Sequence, residues 1–177
     1  MKVTLIQMDI AWGDAAANRE TAERLMLSAE RSDLYVLPEM WNTGVTTEPQ
    51  SVAEDMDGET LQWMQQMANR LDAAVCGSVA VETLSCSHLK GECQYRNRLF
   101  FFKPQEGVNC KSLNCKWYDK HHLFAYGGET EHYTPGTERV TVQWRGLRFR
   151  LSICYDLRFP LWLRNTNDYD VLICVAS

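Results

Sequence analysis

The first half of the chain alternates short apolar runs with segments that carry a single apolar stripe. The apolar runs cover residues 3–8, 34–39 and 73–82. Between them, apolar residues recur at helical spacing over residues 17–29 and 61–71, and Asp14 is a candidate N-cap for the first helix. The order strand–helix–strand–helix–strand predicts right-handed βαβ units in a mainly parallel sheet.

The second half is richer in strands than in helices. The pattern predicts strands over residues 96–104, 115–120, 139–144, 147–156 and 169–177, and a short helix over residues 160–165. The first two of these strands flank a turn-rich segment and are expected to pair. Arg145-Gly146 lies between the next two and favours a β-hairpin, and Pro160 suits the first turn of the helix.

Two stretches depart from a complete α/β domain. Residues 83–94 follow no clear period and predict a surface excursion. The last strand, residues 169–177, has no crossover helix behind it, although a parallel strand needs one to cover its face. The length of 177 residues suffices for one domain with a real core. We therefore expect a single domain over residues 1–177 that lacks its C-terminal part.

Composition and charge exclude several classes of function. Hydrophobic residues make up 45% of the chain and charged residues 23%, as in ordinary globular proteins. The net charge of −5 argues against a nucleic-acid surface. No segment is long and apolar enough to cross a bilayer, and Asp9 interrupts any signal-peptide core. We therefore expect a cytoplasmic protein with neither nucleic acid nor membrane as a partner.

The seven cysteines raise the question of disulfides and metals. An odd number in a chain without a secretory signal argues against a disulfide framework, so most should be reduced thiols. A zinc module is a competing hypothesis. Its candidate ligands are Cys86, His88, Cys93, Cys110 and Cys115. Their spacings, C-x-H-x4-C and C-x4-C, lack the C-x2-C pair typical of structural zinc sites, and we expect no metal.

Three residues stand where an apolar strand ends: Glu39, Lys120 and Cys154. In open α/β sheets, ligand sites gather at the carboxyl ends of the strands. If these strands run parallel in the centre of one sheet, the three side chains converge on one edge. Period-2 alternation places Cys154 on the same face as Arg150 and Ser152, opposite an apolar face, which leaves room for a ligand.

Each of the three also has an ordinary explanation: Glu39 as a loop acid, Lys120 as a solvated lysine, and Cys154 as an inert buried thiol. That explanation holds for Cys76 and Cys174, which lie within apolar runs. As a set, however, the three residues make chemical sense, because a carboxylate can deprotonate the thiol and an ammonium can stabilise the thiolate and an oxyanion.

Further groups near these strand ends complete the chemical hypothesis. The backbone N–H of Tyr155 could supply a second oxyanion donor. No histidine is needed, and His121 and His122 are expected to be structural or to lie at the edge of the substrate.

The segments around these residues resemble the nitrilase superfamily of carbon–nitrogen hydrolases. "LPEMWNTG", "YDKHHLF" and "ICYDLRFP" resemble the family's blocks around its catalytic Glu, Lys and Cys. "ETEHYTPG" resembles the segment that carries a supporting Glu, for which Glu129 fits better than Glu131. The resemblance extends over residues 3–177. The region from residue 83 to Trp117 departs from it, being longer than the family's usual hairpin.

The resemblance implies a fold and a reaction. The fold is a four-layer αββα sandwich, here without its C-terminal part. The implied reaction is hydrolysis of a small non-peptide amide through an acyl-thioester on Cys154, with Glu39 and Lys120 as the other triad members and no cofactor. Members of the family are commonly homodimers. A related aliphatic amidase, a carbamoyl hydrolase or a truncated non-catalytic binding version remain alternatives.

Within the family, "PEMWNTG" and "CYDLRFPLWLRN" look most like the omega-amidase branch. Enzymes of that branch deaminate keto-acid amides such as 2-oxoglutaramate, whose carboxylate requires a cationic anchor. Arg158 is the candidate anchor, with an ion pair to Asp156 as its alternative role. Trp41, Phe124 and Tyr155 are candidates for the substrate pocket, because they neighbour the motifs in sequence.

Overall fold

The computed structural model describes residues 1–84, 93–105 and 113–177. In chain order its strands are β1 (Val3–Leu5), β2 (Leu34–Val36), β3 (Ala74–Leu84), β4 (Cys93–Phe102), β5 (Cys115–Asp119), β6 (Thr141–Trp144), β7 (Leu147–Ile153) and β8 (Val171–Val175). Its α-helices are α1 (Ala15–Ser28), α2 (Glu59–Leu71), α3 (Glu129–His132) and α4 (Pro160–Leu163). Short 3₁₀ helices cover Pro49–Ser51, Ala125–Gly127 and Cys154–Arg158.

The first sheet has five strands in the order β1-β2-β3-β4-β5. β1, β2 and β3 pair in parallel, which confirms the two predicted βαβ units. β4 and β5 then return as an antiparallel meander, so the sheet is mixed rather than mainly parallel. Two successive reversals leave β5 running in the same direction as β2, and their carboxyl ends therefore point the same way.

The second sheet has three strands in the order β6-β7-β8. β6 and β7 form the predicted hairpin, and Arg145 and Gly146 at its turn both adopt positive φ angles. β7 pairs in parallel with β8. The connection between them contains α4, which begins at Pro160 as predicted.

The first sheet has a different layer on each of its faces. Ala22 and Met26 of α1 and Leu61 and Met64 of α2 pack with Phe100 on one face. Asp14 caps α1 by accepting a hydrogen bond from the Ala17 N–H at 3.0 Å, as predicted.

The opposite face packs against the second sheet. The apolar residues at this interface come from both sheets and include Leu99, Phe101, Phe149, Leu151 and Ile153. The result is a helix–sheet–sheet sandwich, and the predicted α/β fold class is confirmed. Alternation within β7 is also as predicted, because its odd-numbered residues face this interface.

The region that was expected to be irregular is shorter than predicted. β3 extends to Leu84 and β4 begins at Cys93, so the ladder includes the pairs Thr83–Gln94 and Leu84–Cys93. The prediction of an excursion starting at Thr83 is therefore wrong at both ends, because the strands continue their pairing. Residues 85–92 lie outside the described residues.

The competing zinc hypothesis required cysteines from both long connections. Cys93 begins β4, whereas Cys115 pairs with Phe102 at the other end of the same strand. Nine residues at about 3.3 Å each separate these positions by roughly 30 Å, so one ion cannot bind both. Cys86, His88 and Cys110 lie outside the described residues. No helix in the described part of the chain is long and apolar enough to cross a membrane.

Candidate active site

The predicted triad residues meet at one cavity of about 860 Å³, which Glu39, Lys120 and Cys154 all line. The arrangement differs from the expectation of one sheet edge. Glu39 follows β2 and Lys120 follows β5 in the first sheet, whereas Cys154 follows β7 in the second. The residues converge because the two sheets pack face to face with these strand ends at the same side.

The loop that carries Glu39 is fixed to its neighbours by backbone contacts. Met40, directly after it, adopts a φ of 44° and donates its N–H to Ser78 Oγ at 2.9 Å. The Glu39 N–H points to the Ala176 carbonyl at 3.5 Å, beyond the end of β8. A Cβ on Gly77 would lie 2.8 Å from Leu37 Cβ, so only glycine permits this close approach of the loop to β3.

Lys120 is held at the end of β5 by pairing on both sides. Its N–H donates to the Asn97 carbonyl at 3.0 Å, and its own carbonyl accepts from the Gly136 N–H at 2.9 Å. The preceding residue, Asp119, receives a bidentate contact from Arg98 at 2.5 and 2.8 Å. These contacts direct the lysine side chain inward, where only 3% of it is exposed.

The side chain of Lys120 lies between two buried carboxylates. Its Nζ is 2.9 Å from Glu39 Oε1 and 2.8 Å from Glu129 Oε2. Burial alone lowers the pKa of Lys120, but the two negative charges outweigh it, and the net pKa is raised. The lysine is therefore an ammonium ion, and the cluster carries two carboxylates for one cation.

Glu129 rather than Glu131 occupies the second carboxylate position. Glu129 begins α3 and is buried, whereas Glu131 is exposed. Glu129 Oε2 also accepts the Phe124 N–H at 2.6 Å. The contact fixes the carboxylate to the loop that follows Lys120.

Asn97 is a member of this cluster that the sequence interpretation missed. Its Nδ2 donates to Glu39 Oε1 at 2.8 Å and to Glu129 Oε1 at 3.1 Å. The side chain is 1% exposed and shares a strand face with Leu99 and Phe101. A polar residue in register with buried apolar ones was the available signal, because buried amides require partners.

Cys154 begins the 3₁₀ helix Cys154–Arg158 with a φ of 42°. A positive φ is unusual for a non-glycine residue and occurs often at functional sites. Burial, together with the charge of Glu39 and a hydrogen bond to it, raises the pKa of the thiol to about 11, although Lys120 opposes the shift. At neutral pH the thiol is therefore protonated and needs a base.

A second network supports the turn behind Cys154. Asp156 is fully buried and accepts the Ile153 N–H at 3.0 Å and the Tyr118 hydroxyl at 2.7 Å. Its other oxygen accepts the His122 N–H at 2.9 Å, and His122 Nδ1 is also 2.9 Å away. The His122 ring stacks on Phe159 with centroids 3.6 Å apart. Asp156 therefore braces the turn, and His122 has the structural position that was one of its two expected roles.

Three of the four candidate pocket residues line the cavity: Phe124, Tyr155 and Arg158. Trp41 does not. The turn at Met40 directs Trp41 into the core, where it is fully buried and its ring lies 5.1 Å from that of Trp63. Its position does not support contact with a substrate.

Two cavity residues bear on what the site can hold. Arg158 is exposed, and its side chain has no ion pair or hydrogen bond with any residue that the structure describes. Its alternative role as a partner of Asp156 is not observed, because other groups occupy both carboxylate oxygens of Asp156. Trp12 also lines the cavity with 71% of its surface exposed, and no motif marked it.

Comparisons with known proteins agree with the geometry. The chain is 38% identical over its full length to the omega-amidase YafV of Yersinia enterocolitica. It is 30% identical over 99% of its length to the 2-oxoglutaramate amidase of Bacillus subtilis. It spans 63% and 64% of the length of these two relatives.

A comparison with solved structures also identifies the fold. The crystal structure of XC1258 from Xanthomonas campestris, a CN-hydrolase superfamily protein, matches with a TM-score of 0.87 at 36% identity. The match covers the whole of this chain and 64% of that one. The model of the carbon–nitrogen hydrolase family matches residues 2–177. The resemblance read from the motifs is therefore confirmed, and the chain belongs to the carbon–nitrogen hydrolase family.

Proposed function

We propose that the protein is an amidohydrolase of the omega-amidase type, which releases ammonia from a small keto-acid amide. The observation that carries the proposal is the position of Cys154 in one cavity with the buried cluster of Glu39, Lys120 and Glu129. A thiol, a carboxylate within its reach and a fixed ammonium are the groups that acyl transfer through cysteine requires.

The first half of the reaction forms a thioester. Glu39 takes the proton of the Cys154 thiol as sulfur attacks the amide carbonyl carbon. Lys120 Nζ and the Tyr155 N–H stabilise the oxyanion of the tetrahedral intermediate. The C–N bond then breaks, and the proton on Glu39 passes to the departing nitrogen, which leaves as ammonia. A protonated resting thiol suits this sequence, because the proton it gives up is the one the leaving group needs.

The second half releases the acid. Glu39 removes a proton from water as the water oxygen attacks the thioester carbonyl carbon. The C–S bond breaks, and the proton returns to the sulfur of Cys154. The sum is amide plus water to carboxylic acid plus ammonia, and the chain's own residues hold every transferred proton.

The substrate is proposed from charge and from the relatives. A keto-acid amide carries a carboxylate, and Arg158 supplies a cation in the cavity lining whose side chain has no partner among the described residues. Phe124 and Tyr155, whose rings are 5.1 Å apart, offer an apolar wall for the carbon chain between the amide and the carboxylate. The names omega-amidase and 2-oxoglutaramate amidase, borne by relatives, support the same class.

Three further properties belong to the same proposal. We place the described site within a single domain over residues 1–177, and we propose a homodimer in the cytoplasm. The full reaction is also a proposal, because the chain spans 63% of the length of the omega-amidase of Yersinia enterocolitica.

Ammonia release from a panel of amides tests the reaction. The panel contains 2-oxoglutaramate, glutamine, a simple aliphatic amide and an N-carbamoyl compound. We expect turnover of 2-oxoglutaramate and its loss in Cys154→Ala with the fold intact by circular dichroism. Retained turnover in Cys154→Ala would exclude the mechanism. A folded wild-type chain that binds but does not hydrolyse these compounds would favour the non-catalytic binding version.

The panel also separates the proposal from a general aliphatic amidase, which is supported by a relative named (R)-stereoselective amidase, 32% identical over 90% of the chain. Arg158→Met should raise KM for 2-oxoglutaramate by about 10- to 100-fold, as expected for a lost charged hydrogen bond, and leave KM for an uncharged amide unchanged. Arg139→Met is the control, because Arg139 lies over Trp162 and shares a neighbouring cleft with Arg158 but does not line the 860 Å³ cavity. Equal effects on both substrates would contradict carboxylate binding by Arg158.

A further inference from the structure

We propose that Asn97 is a positioning residue for the two carboxylates of the cluster, and that it sets the electrostatic potential at the Cys154 thiol. The inference rests on the proposed function and adds a fifth residue to the four that the motifs indicated. It comes from the hydrogen bonds of one buried amide.

Asn97 contacts every charged member of the cluster. Its side-chain nitrogen donates to Glu39 at 2.8 Å and to Glu129 at 3.1 Å, and its backbone carbonyl accepts from the Lys120 N–H at 3.0 Å. The amide nitrogen has two hydrogens, and each one serves a different carboxylate. No other described side chain donates to both Glu39 and Glu129 except that of Lys120.

The orientation of the amide is determined by its surroundings. If it were reversed, Oδ1 would face two carboxylate oxygens at hydrogen-bond distance, which is repulsive. In the observed orientation, Oδ1 is buried and has no hydrogen-bond partner among the described residues. An unpaired buried oxygen costs stability. The Asn97 side chain therefore donates to both carboxylates, while its own oxygen accepts no hydrogen bond from a described residue.

The contacts also decide which oxygen of Glu39 remains for the thiol. Glu39 Oε1 accepts both from Lys120 and from Asn97, so this atom is fixed by two donors. The remaining oxygen, Oε2, is then the one available to take the proton of Cys154. Without Asn97, Glu39 would keep a single anchor and could rotate about its terminal torsion, which is intrinsically broad.

The second consequence is electrostatic. The cluster has two carboxylates and one ammonium, and the charge of Glu39 disfavours the thiolate of Cys154. Two N–H dipoles directed at the carboxylates reduce that negative potential in a site where the effective dielectric is low. Removal of the dipoles should make the thiol harder to ionise, and a carboxylate in place of the amide should make it harder still.

The alternative is that Asn97 acts only as a buried polar residue that stabilises the sheet. Asn42 provides a matched control, because it is also fully buried and its Nδ2 also approaches a carboxylate, that of Glu54, at 3.4 Å. The buried Oδ1 of Asn42 likewise has no hydrogen-bond partner in the described part of the chain. Asn42 does not line the 860 Å³ cavity. If removal of a buried asparagine only lowers stability, replacement of Asn97 and replacement of Asn42 should have the same effect. If Asn97 positions the carboxylates, only its replacement should change the reactivity of Cys154.

The experiment compares Asn97→Leu, Asn97→Asp and Asn42→Leu in the full chain. Three quantities are measured at pH 7.5: kcat and KM for 2-oxoglutaramate, and the rate of Cys154 alkylation by iodoacetamide, which is followed by peptide mass spectrometry. For Asn97→Leu we expect kcat to fall by about 10²-fold, since misplaced catalytic groups cost that much, with KM within about threefold. Alkylation should be fastest in the wild type, slower in Asn97→Leu and slowest in Asn97→Asp.

The outcomes separate the two proposals. The positioning role would be overturned if Asn97→Leu kept the wild-type kcat and alkylation rate. Equal losses of these quantities per folded molecule in Asn97→Leu and Asn42→Leu would also overturn it. Alkylation does not require turnover. A wild-type chain without amidase activity whose alkylation still follows the expected order would overturn the proposed function and support the role of Asn97. A variant that fails to fold is replaced in the comparison by Asn97→Ser, which retains a hydroxyl donor for one carboxylate and should fall between the wild type and Asn97→Leu.

Discussion

Two buried networks flank Cys154, and they use similar residues in opposite ways. The first contains Glu39 and Glu129 on either side of Lys120. The second centres on Asp156, with Tyr118 and the backbone of the nucleophile turn. Both carboxylate sites are buried: the first joins residues that follow β2 and β5 of one sheet, and the second joins β5 to β7 of the other sheet. They differ in whether the carboxylate is available to exchange a proton.

In the Asp156 network, both carboxylate oxygens of Asp156 are hydrogen-bonded. Each carboxylate oxygen has two partners, and the side chain is 0% exposed. In the Glu39 network, Asn97 and Lys120 both donate to Oε1, and the carboxylate lines the cavity beside the Cys154 thiol. A saturated carboxylate braces the structure, whereas one that faces a thiol in a cavity can exchange a proton with it. Saturation and direction, rather than burial, distinguish the two.

The largest effect should come from Glu39→Gln. The substitution keeps the shape and an acceptor for Lys120 but removes the proton acceptor, so we expect kcat to fall by about 10³-fold or more. The same change should increase the rate of Cys154 alkylation at pH 9, because it removes a charge that raises the thiol's pKa. Steady-state kinetics and alkylation rates test the two parts. A Glu39→Gln variant with near wild-type kcat would remove the distinction between the networks.

Asp156→Asn should instead act on stability. The new amide nitrogen would face donors, either the Ile153 N–H and Tyr118 hydroxyl or the two His122 nitrogens, so buried hydrogen bonds are lost. We expect the free energy of unfolding to fall by about 3 kcal/mol. Urea denaturation measures it, and kcat is corrected for the folded fraction. Loss of kcat without loss of stability would mean that Asp156 acts in catalysis.

The sequence was sufficient to indicate Glu39, Lys120 and Glu129 of the first network, but not Asn97 and not the arrangement of the network. Glu39, Lys120 and Cys154 each follow an apolar run, and that local pattern survives in the structure. Their convergence depends on two sheets packing face to face, which no local period encodes. The condition that all three strands lie in one sheet is therefore not met, because β7 pairs with β8 rather than with β2 or β5.

Side-chain directions were the least predictable feature. Trp41 was assigned to the pocket because it is two residues from Glu39, but the positive φ of Met40 sends it into the core. Asn97 lies 58 residues from Glu39 in sequence, so their hydrogen bond could not be read from spacing. The prediction of Asp14 as a cap was correct, since capping depends only on neighbours three residues away.

The raised pKa of the Cys154 thiol, which lies between the two networks, predicts that the reactivity of this thiol depends on pH. Because burial and Glu39 raise the pKa of Cys154 to about 11, the thiolate fraction should rise about tenfold per pH unit between pH 7 and 10. The rate of iodoacetamide alkylation at Cys154 measures this fraction. A plateau below pH 9 would show that the thiol ionises far more readily than its buried position beside Glu39 implies.

An exposed carboxylate should give the smallest effect. Asp170 accepts from the Arg148 side chain and from its backbone N–H, and these contacts lower the pKa of Asp170 to about 2. Since the folded-state pKa lies below the usual 3.8, the stabilisation is present above about pH 4 and is lost as the pH falls toward 2. Asp170→Asn should lower Tm at pH 7 by less than about 3 °C, because exposed pairs contribute little.

The difference in Tm between the wild type and Asp170→Asn should shrink as the pH falls from 4 to 2.5. Thermal melts followed by circular dichroism at pH 7, 4 and 2.5 measure it. An Asp170→Asn variant as unstable as Asp156→Asn would mean that an exposed ion pair can brace this fold as strongly as a saturated buried carboxylate. A small, acid-sensitive difference supports the conclusion that hydrogen-bond saturation inside the protein makes Asp156 a brace.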